Sequence, residues 1–184
     1  MKYDIPWLKS QLQTSTVKYL FFWGHRPERD GRIGKGCLSQ WWEVTFVHEG
    51  ITYKSAEHWM MACKARLFND QATLKQIIAA ATPADAKRLG RKVQNFNSAA
   101  WDANKYAFVL EGNLHKFGQN PQLKGFLLST ADKVLVEAAP NDQIWGIGIA
   151  ADTPGIQNPD TWRGENLLGF ALMEARDHLK SENQ

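Results

Sequence analysis

Residues 41–66 read WWEVTFVHEGITYKSAEHWMMACKAR, and this stretch decides the fold. WWEVTFVH (41–48) and ITYK (51–54) are rich in β-branched and aromatic residues and flank Glu49-Gly50, the pattern of a hairpin. Ser55 then reads as the cap of a helix that runs to about Phe68. A hairpin that feeds directly into a helix, with no βαβ alternation elsewhere, points to an α+β chain rather than a doubly wound one.

The flanking sequence extends this picture. Asp4-Ile5-Pro6 predicts a short helix with an Asx cap and proline in the first turn. KYLFFW (18–23) predicts a buried strand, and GHRPERDGRIGKG (24–36) a long polar loop bearing Arg26, Arg29, Arg32 and Lys35. Helices are expected over 73–81, from Thr82-Pro83 to about Arg91, over 98–117, from Asn120-Pro121 to about Ser129, and over 166–180. KVLVEA (133–138) alternates as a strand, and 140–166 is a long Gly/Pro-rich loop. The expected fold is a helix-dominated single α+β domain over 18–182 with one small sheet of three to five strands, preceded by an N-terminal helical extension over 1–17.

Composition bounds the function. The 184 residues suffice to bury a core, and 43% hydrophobic with 22% charged residues is ordinary for a globular protein. Eight Trp is a high number, offering core volume and stacking surface. A net charge of +3 is too small to argue for nucleic-acid binding, yet it leaves room for a phosphate partner. Cys37 and Cys63 form no disulfide framework. The N-terminus lacks an apolar signal core and no 18-residue apolar run is present, so a cytoplasmic location without membrane contact is expected.

Glu57 is the first chemical candidate. It sits in the first turn of its helix, where the partial positive charge of the helix terminus favours a carboxylate. Glu57, Met61 and Lys64 fall at i, i+4 and i+7 and share one stripe. The plain alternative is a surface glutamate stabilising the dipole. The second candidate is Asn141-Asp142 with Trp145-Gly146. An Asx turn after Pro140 explains the pair equally well, while the glycines permit close approach of backbone to a ligand. Gly90-Arg91-Lys92 at a helix end either serves the dipole or clamps a phosphate. The five histidines are scattered, HExxH is absent, and His58 and Cys63 lack metal-ligand spacing, so neither a metal nor another cofactor is expected. Cys63 reads as a buried structural thiol.

The ordered set of motifs resembles the NADAR superfamily, including its YbiA-like members. The set comprises Leu38-Ser39-Gln40-Trp41-Trp42, Tyr53, Ser55-Ala56-Glu57-His58-Trp59-Met60-Met61, Lys64-Ala65, Gly90-Arg91, Trp101, Leu127-Leu128, Leu135-Val136-Glu137, Asn141-Asp142, Trp145-Gly146-Ile147-Gly148, Gly164-Glu165-Asn166-Leu167-Leu168-Gly169 and Leu172-Met173. The resemblance covers about residues 18–180. Ser39-Gln40-Trp41 departs from the Ser-Asn-Phe of many members, and the loop after Trp145 is longer than in short members. Both departures bear on substrate choice.

The resemblance implies hydrolysis of the C1′–N bond of a ribosylated base. The implied substrate is either ADP-ribosylated guanine, free or on nucleic acid, or a phosphoribosylamino-pyrimidine intermediate of riboflavin synthesis. It places the essential Glu on Glu57, the Asp of the Asn-Asp motif on Asp142, and a pocket Trp on Trp101. Lys64 and Arg91 would then hold phosphate, and Trp23, Trp101 or Trp145 would stack the base beside Asn141 and Gly146. The alternative is a non-catalytic ADP-ribose or NAD-binding module, which needs the aromatic and basic groups but not both carboxylates.

Overall fold

A computed structural model describes residues 1–181. The elements run α1 (Ile5–Thr14), β1 (Tyr19–Phe22), β2 (Phe46–His48), β3 (Ile51–Tyr53), α2 (Ala56–Leu67), α3 (Gln71–Ala79), α4 (Pro83–Gly90), α5 (Ser98–Gly118), α6 (Pro121–Ser129), β4 (Val134–Glu137) and α7 (Leu167–Ser181). The fold class is α+β and helix-dominated, as the sequence implies. Among the described residues no helix is long and apolar enough to cross a membrane.

The strands differ from expectation. Among the described residues they form two separate two-stranded sheets rather than one sheet of three to five strands. β1 pairs with β4 in parallel, Tyr19 opposite Val134 and Phe22 opposite Glu137. β2 and β3 form the expected hairpin, but residues 41–45 stay outside the strand. The turn is of the kind in which both central residues have positive φ, Glu49 at 48° and Gly50 at 73°. The chain divides into two compact units, one built from Met1–Ser39 and the segment from Gln122 onward, the other from Gln40–Pro121. The C-terminal boundary expected at residue 182 lies outside the described residues.

In the first unit α7 packs on β4, burying Leu167, Leu168, Phe170, Leu172, Met173 and Leu179. Burial of such side chains contributes about 1.5–3 kcal/mol each. Asn166, fully buried, completes with its amide the edge of β4 that faces away from β1. Its Nδ2 donates to Leu135 O at 3.0 Å and its Oδ1 accepts from Glu137 N at 3.0 Å. This satisfies two strand groups that burial would otherwise leave unpaired.

The second unit is built around α2, which packs against α3, α4 and α5. Nine of its twelve residues are buried, from Ala56 through Cys63 and at Ala65. A helix buried on nearly every face needs small residues on its neighbours. A side-chain carbon at Gly90 on α4 would overlap Met61, and one at Gly112 on α5 would overlap Trp59.

Candidate functional site

The expected site residues fall into two sets, one in each unit. Glu57, Lys64, Arg91 and Trp101 belong to the second unit; Trp23, Asn141, Asp142, Trp145 and Gly146 belong to the first.

Ser55 caps α2 as the sequence predicts, accepting from His58 N at 3.3 Å. Glu57 therefore stands in the first turn, only 2% exposed, which sets aside the reading of a solvated surface glutamate. Its backbone N–H donates to Gln40 O at 3.0 Å. Gln40 is itself buried, and its side-chain oxygen accepts from Asn113 Nδ2 at 2.9 Å. Gln40 Nε2 and Asn113 Oδ1 are buried and make no hydrogen bond within the described residues. Buried polar atoms in that state cost free energy unless another group meets them. Asn113 is thus a candidate that motif reading did not single out, and Gln40 one that it named only as a departure from the family pattern. The polar pair Ser39-Gln40 between Leu38 and Trp41-Trp42 was the available signal; an asparagine within a long helix gives none.

His58, beside Glu57, is 1% exposed and bridges Ser55 Oγ at 2.8 Å and Ala80 O at 3.2 Å. Burial pushes its pKa below the usual histidine value, so the neutral ring is the native form. Cys63 is buried and its thiol is pushed up to about 12 by burial, as expected of a structural thiol.

Lys64 and Trp101 are brought together. The Lys64 ammonium lies 4.2 Å from the Phe96 ring centre and 5.6 Å from that of Trp101, a cation–π arrangement. Burial lowers the Lys64 pKa. Arg91 is exposed at the C-terminal cap of α4. A cation held against aromatic rings and short of water gains from an anionic partner.

In the first unit Asp142 closes the turn after Pro140. Its Oδ1 accepts from Ile144 N at 3.0 Å and Trp145 N at 2.8 Å. The Asx-turn geometry is therefore present. The loop is stitched to β4 by Ile147 N donating to Glu137 O at 2.9 Å. Its carbonyls at Ile144 and Trp145 accept from Leu167 N and Leu168 N, satisfying the first donors of α7. A side-chain carbon at Gly146 would lie 2.8 Å from Glu137 O and 2.9 Å from Ala139 Cβ. The close approach that requires glycine at Gly146 is to the chain's own backbone. Asn141 is exposed, Trp145 half-buried, and Trp23 is 65% exposed.

With this geometry established, comparisons with known proteins give one consistent result. The NADAR domain model matches residues 21–180. The chain is 43% identical over 174 residues to N-glycosidase R617 of Acanthamoeba polyphaga mimivirus, covering 92% of this chain and 98% of the relative. It is 31% identical over 134 residues to N-glycosidase YbiA of Escherichia coli (strain K12), covering 73% of this chain and 75% of the relative. The NMR structure of E. coli YbiA superposes with a TM-score of 0.73 at 27% identity, over 92% of this chain and 89% of that one.

Proposed function

Because the chain belongs to the NADAR domain family, we propose that it is an N-glycosidase that hydrolyses the C1′–N bond of a ribosylated base, of the ADP-ribosyl-guanine or phosphoribosylamino-pyrimidine type. The observation that carries this reading is Glu57, a carboxylate 2% exposed at the N-terminus of α2. The helix terminus favours the ionised form of a carboxylate at that place, and relatives of this chain are named N-glycosidases.

The chemistry follows from the bond. As the C1′–N bond breaks, its electron pair leaves with the base and positive charge grows on C1′. A carboxylate beside C1′ stabilises that charge and takes a proton from the attacking water, whose oxygen bonds to C1′; the departing nitrogen takes a proton from solvent and the carboxylate returns its own to solvent, leaving free base and a ribose hydroxyl. Glu57 takes that role. Asp142 orients the water or the ribose hydroxyls, with Oδ1 anchored to the loop. Lys64 and Arg91 hold phosphate, and Trp101 supplies a stacking face beside Lys64. Trp23 or Trp145 is the alternative stacking residue, with Asn141 and Gly146 in the same reading. The reaction needs no metal, since carboxylates supply the charge. The location is read as cytoplasmic, and the substrate as a free metabolite or the same adduct on nucleic acid.

One observation favours the second reading, a binder of ADP-ribose or NAD without turnover. Asp142 already has a structural task in its own loop. Product analysis separates the two. Incubation with ADP-ribosyl-guanosine and with phosphoribosylamino-pyrimidine should release free base from one of them. Saturable binding with no release would establish the binder.

A further inference from the structure

His48 and His115 are far apart in sequence, yet the fold places their rings 4.5 Å apart, centre to centre. The cause is local. The side chain of Gln119, just past α5, clamps β2 by donating to Val47 O and accepting from Val47 N, both at 2.8 Å. This fixes His48, the next residue, against the last turns of α5. Glu111 lies one helical turn before His115, with Oε1 3.8 Å from His115 Nε2, beyond hydrogen-bond reach. One potential ligand atom from each of His48, Glu111 and His115 lies within 4.8 Å of the others.

Two imidazoles and a carboxylate converging in this way have a chemical use. We propose that His48, Glu111 and His115 bind one divalent transition-metal ion of the Zn²⁺ or Co²⁺ class, clipping the β2–β3 hairpin to α5. Imidazole nitrogen selects such borderline ions over Mg²⁺ or Ca²⁺, which prefer all-oxygen ligands.

Three further observations support the assignment. His115 Nε2 is buried and makes no hydrogen bond within the described residues, so a donor atom faces the cluster unused. Trp59 contacts both rings, at 5.0 Å from His48 and 5.4 Å from His115, each in a T-shaped arrangement. Phe46 lies 6.4 Å from His115 and 6.3 Å from Trp59. These aromatic contacts limit ring rotation and prepay part of the ordering cost. Finally, ligands about 2.1 Å from a tetrahedral ion stand roughly 3.4 Å apart. The trio must therefore close by up to about 1.5 Å, and Glu111, 47% exposed on a long side chain, has the freedom to do so. Glu49, its Oε1 3.9 Å from His48 Nε2 and its side chain 82% exposed, offers a second carboxylate at the rim. The site is separate from the glycosidase reading and stands or falls without it.

The test uses the full chain, purified without a polyhistidine tag and stripped with chelator. Co²⁺ is titrated by visible absorption and Zn²⁺ by calorimetry. The expected result is one equivalent bound, with His48→Gln and His115→Gln each weakening binding by about tenfold or more. Glu111→Gln, at a half-exposed helix position, serves as the variant whose folding is not at risk and should weaken binding likewise. Zn²⁺ but not Mg²⁺ should raise the melting temperature of the wild-type chain, and Glu111→Gln should reduce that rise. Absence of wild-type binding at millimolar ion, or equal affinity in the wild-type and Glu111→Gln proteins, would overturn the proposal.

Discussion

Asp142→Asn separates a catalytic carboxylate from a turn-former, because the two tasks call on different properties of one side chain. The turn uses Oδ1 as an acceptor for Ile144 N and Trp145 N, and an asparagine oxygen can take both bonds. What is lost is charge assistance. Hydrogen bonds to a charged group contribute about 1.5–3 kcal/mol and neutral ones about 0.5–1.5, so two such bonds at a partly exposed site give a loss of roughly 1–2 kcal/mol. In a chain of 184 residues that is a fall in Tm of a few degrees. Asp142→Ala deletes both bonds and should cost more. If Asp142 orients water or ribose, the Asn variant should also lose at least about tenfold in kcat/KM, equivalent to about 1.4 kcal/mol in the transition state. Thermal melts and initial rates of base release on the same preparations decide the matter. An Asn variant that keeps the wild-type rate while the Ala variant melts early would leave Asp142 a loop anchor and remove it from the mechanism.

Two other outcomes are expected. Lys64→Met removes a cation held over Phe96 and Trp101; if it contacts phosphate, KM should rise roughly tenfold to a hundredfold with a smaller change in kcat. A phosphate-free substrate that reacts equally well would end that role. His58 is buried as the neutral ring, its pKa below the unfolded value of about 6.5. Below pH 6.5 the unfolded chain binds a proton that the native chain refuses, so this contribution to stability is complete above pH 6.5 and is lost as pH falls. Urea midpoints at pH 7.5 and 5.5 should differ more for wild type than for His58→Gln, and equal differences would show that His58 is not the group responsible.

What the sequence made legible is mostly local chemistry. Asp4 and Ser55 were read as caps and Thr82-Pro83 as a helix start, and each of Asp4, Ser55 and Thr82 accepts from a backbone N–H in the first turn of its helix. Glu49-Gly50 was read as a two-residue turn and both residues have positive φ. Pairing between distant segments leaves no such mark. The parallel pairing of β1 with β4 and the meeting of His48 with His115 depend on where the whole chain goes. Trp41 and Trp42 look like strand residues by composition, yet the ladder reaches only Phe46–His48. At the candidate site, the spacing of Glu57, Met61 and Lys64 placed them on one helix, but it could not reveal that this helix is buried on nearly every face. Gly146 was read as room for a ligand, whereas the structure gives it a packing role against Glu137.

The central claim is that Glu57 carries out hydrolysis of an N-glycosidic bond. The direct measurement compares wild type with Glu57→Gln, following free base by chromatography from ADP-ribosyl-guanosine and from phosphoribosylamino-pyrimidine, with affinity read in parallel by calorimetry. The substitution keeps size and polarity and deletes the charge. Wild type should release base from one of the two substrates, and the variant should bind that substrate while turning over about 10²–10⁴-fold more slowly. A wild-type chain that binds without releasing base, or a folded variant that retains more than about half of the rate in the face of that expected loss, would contradict the account.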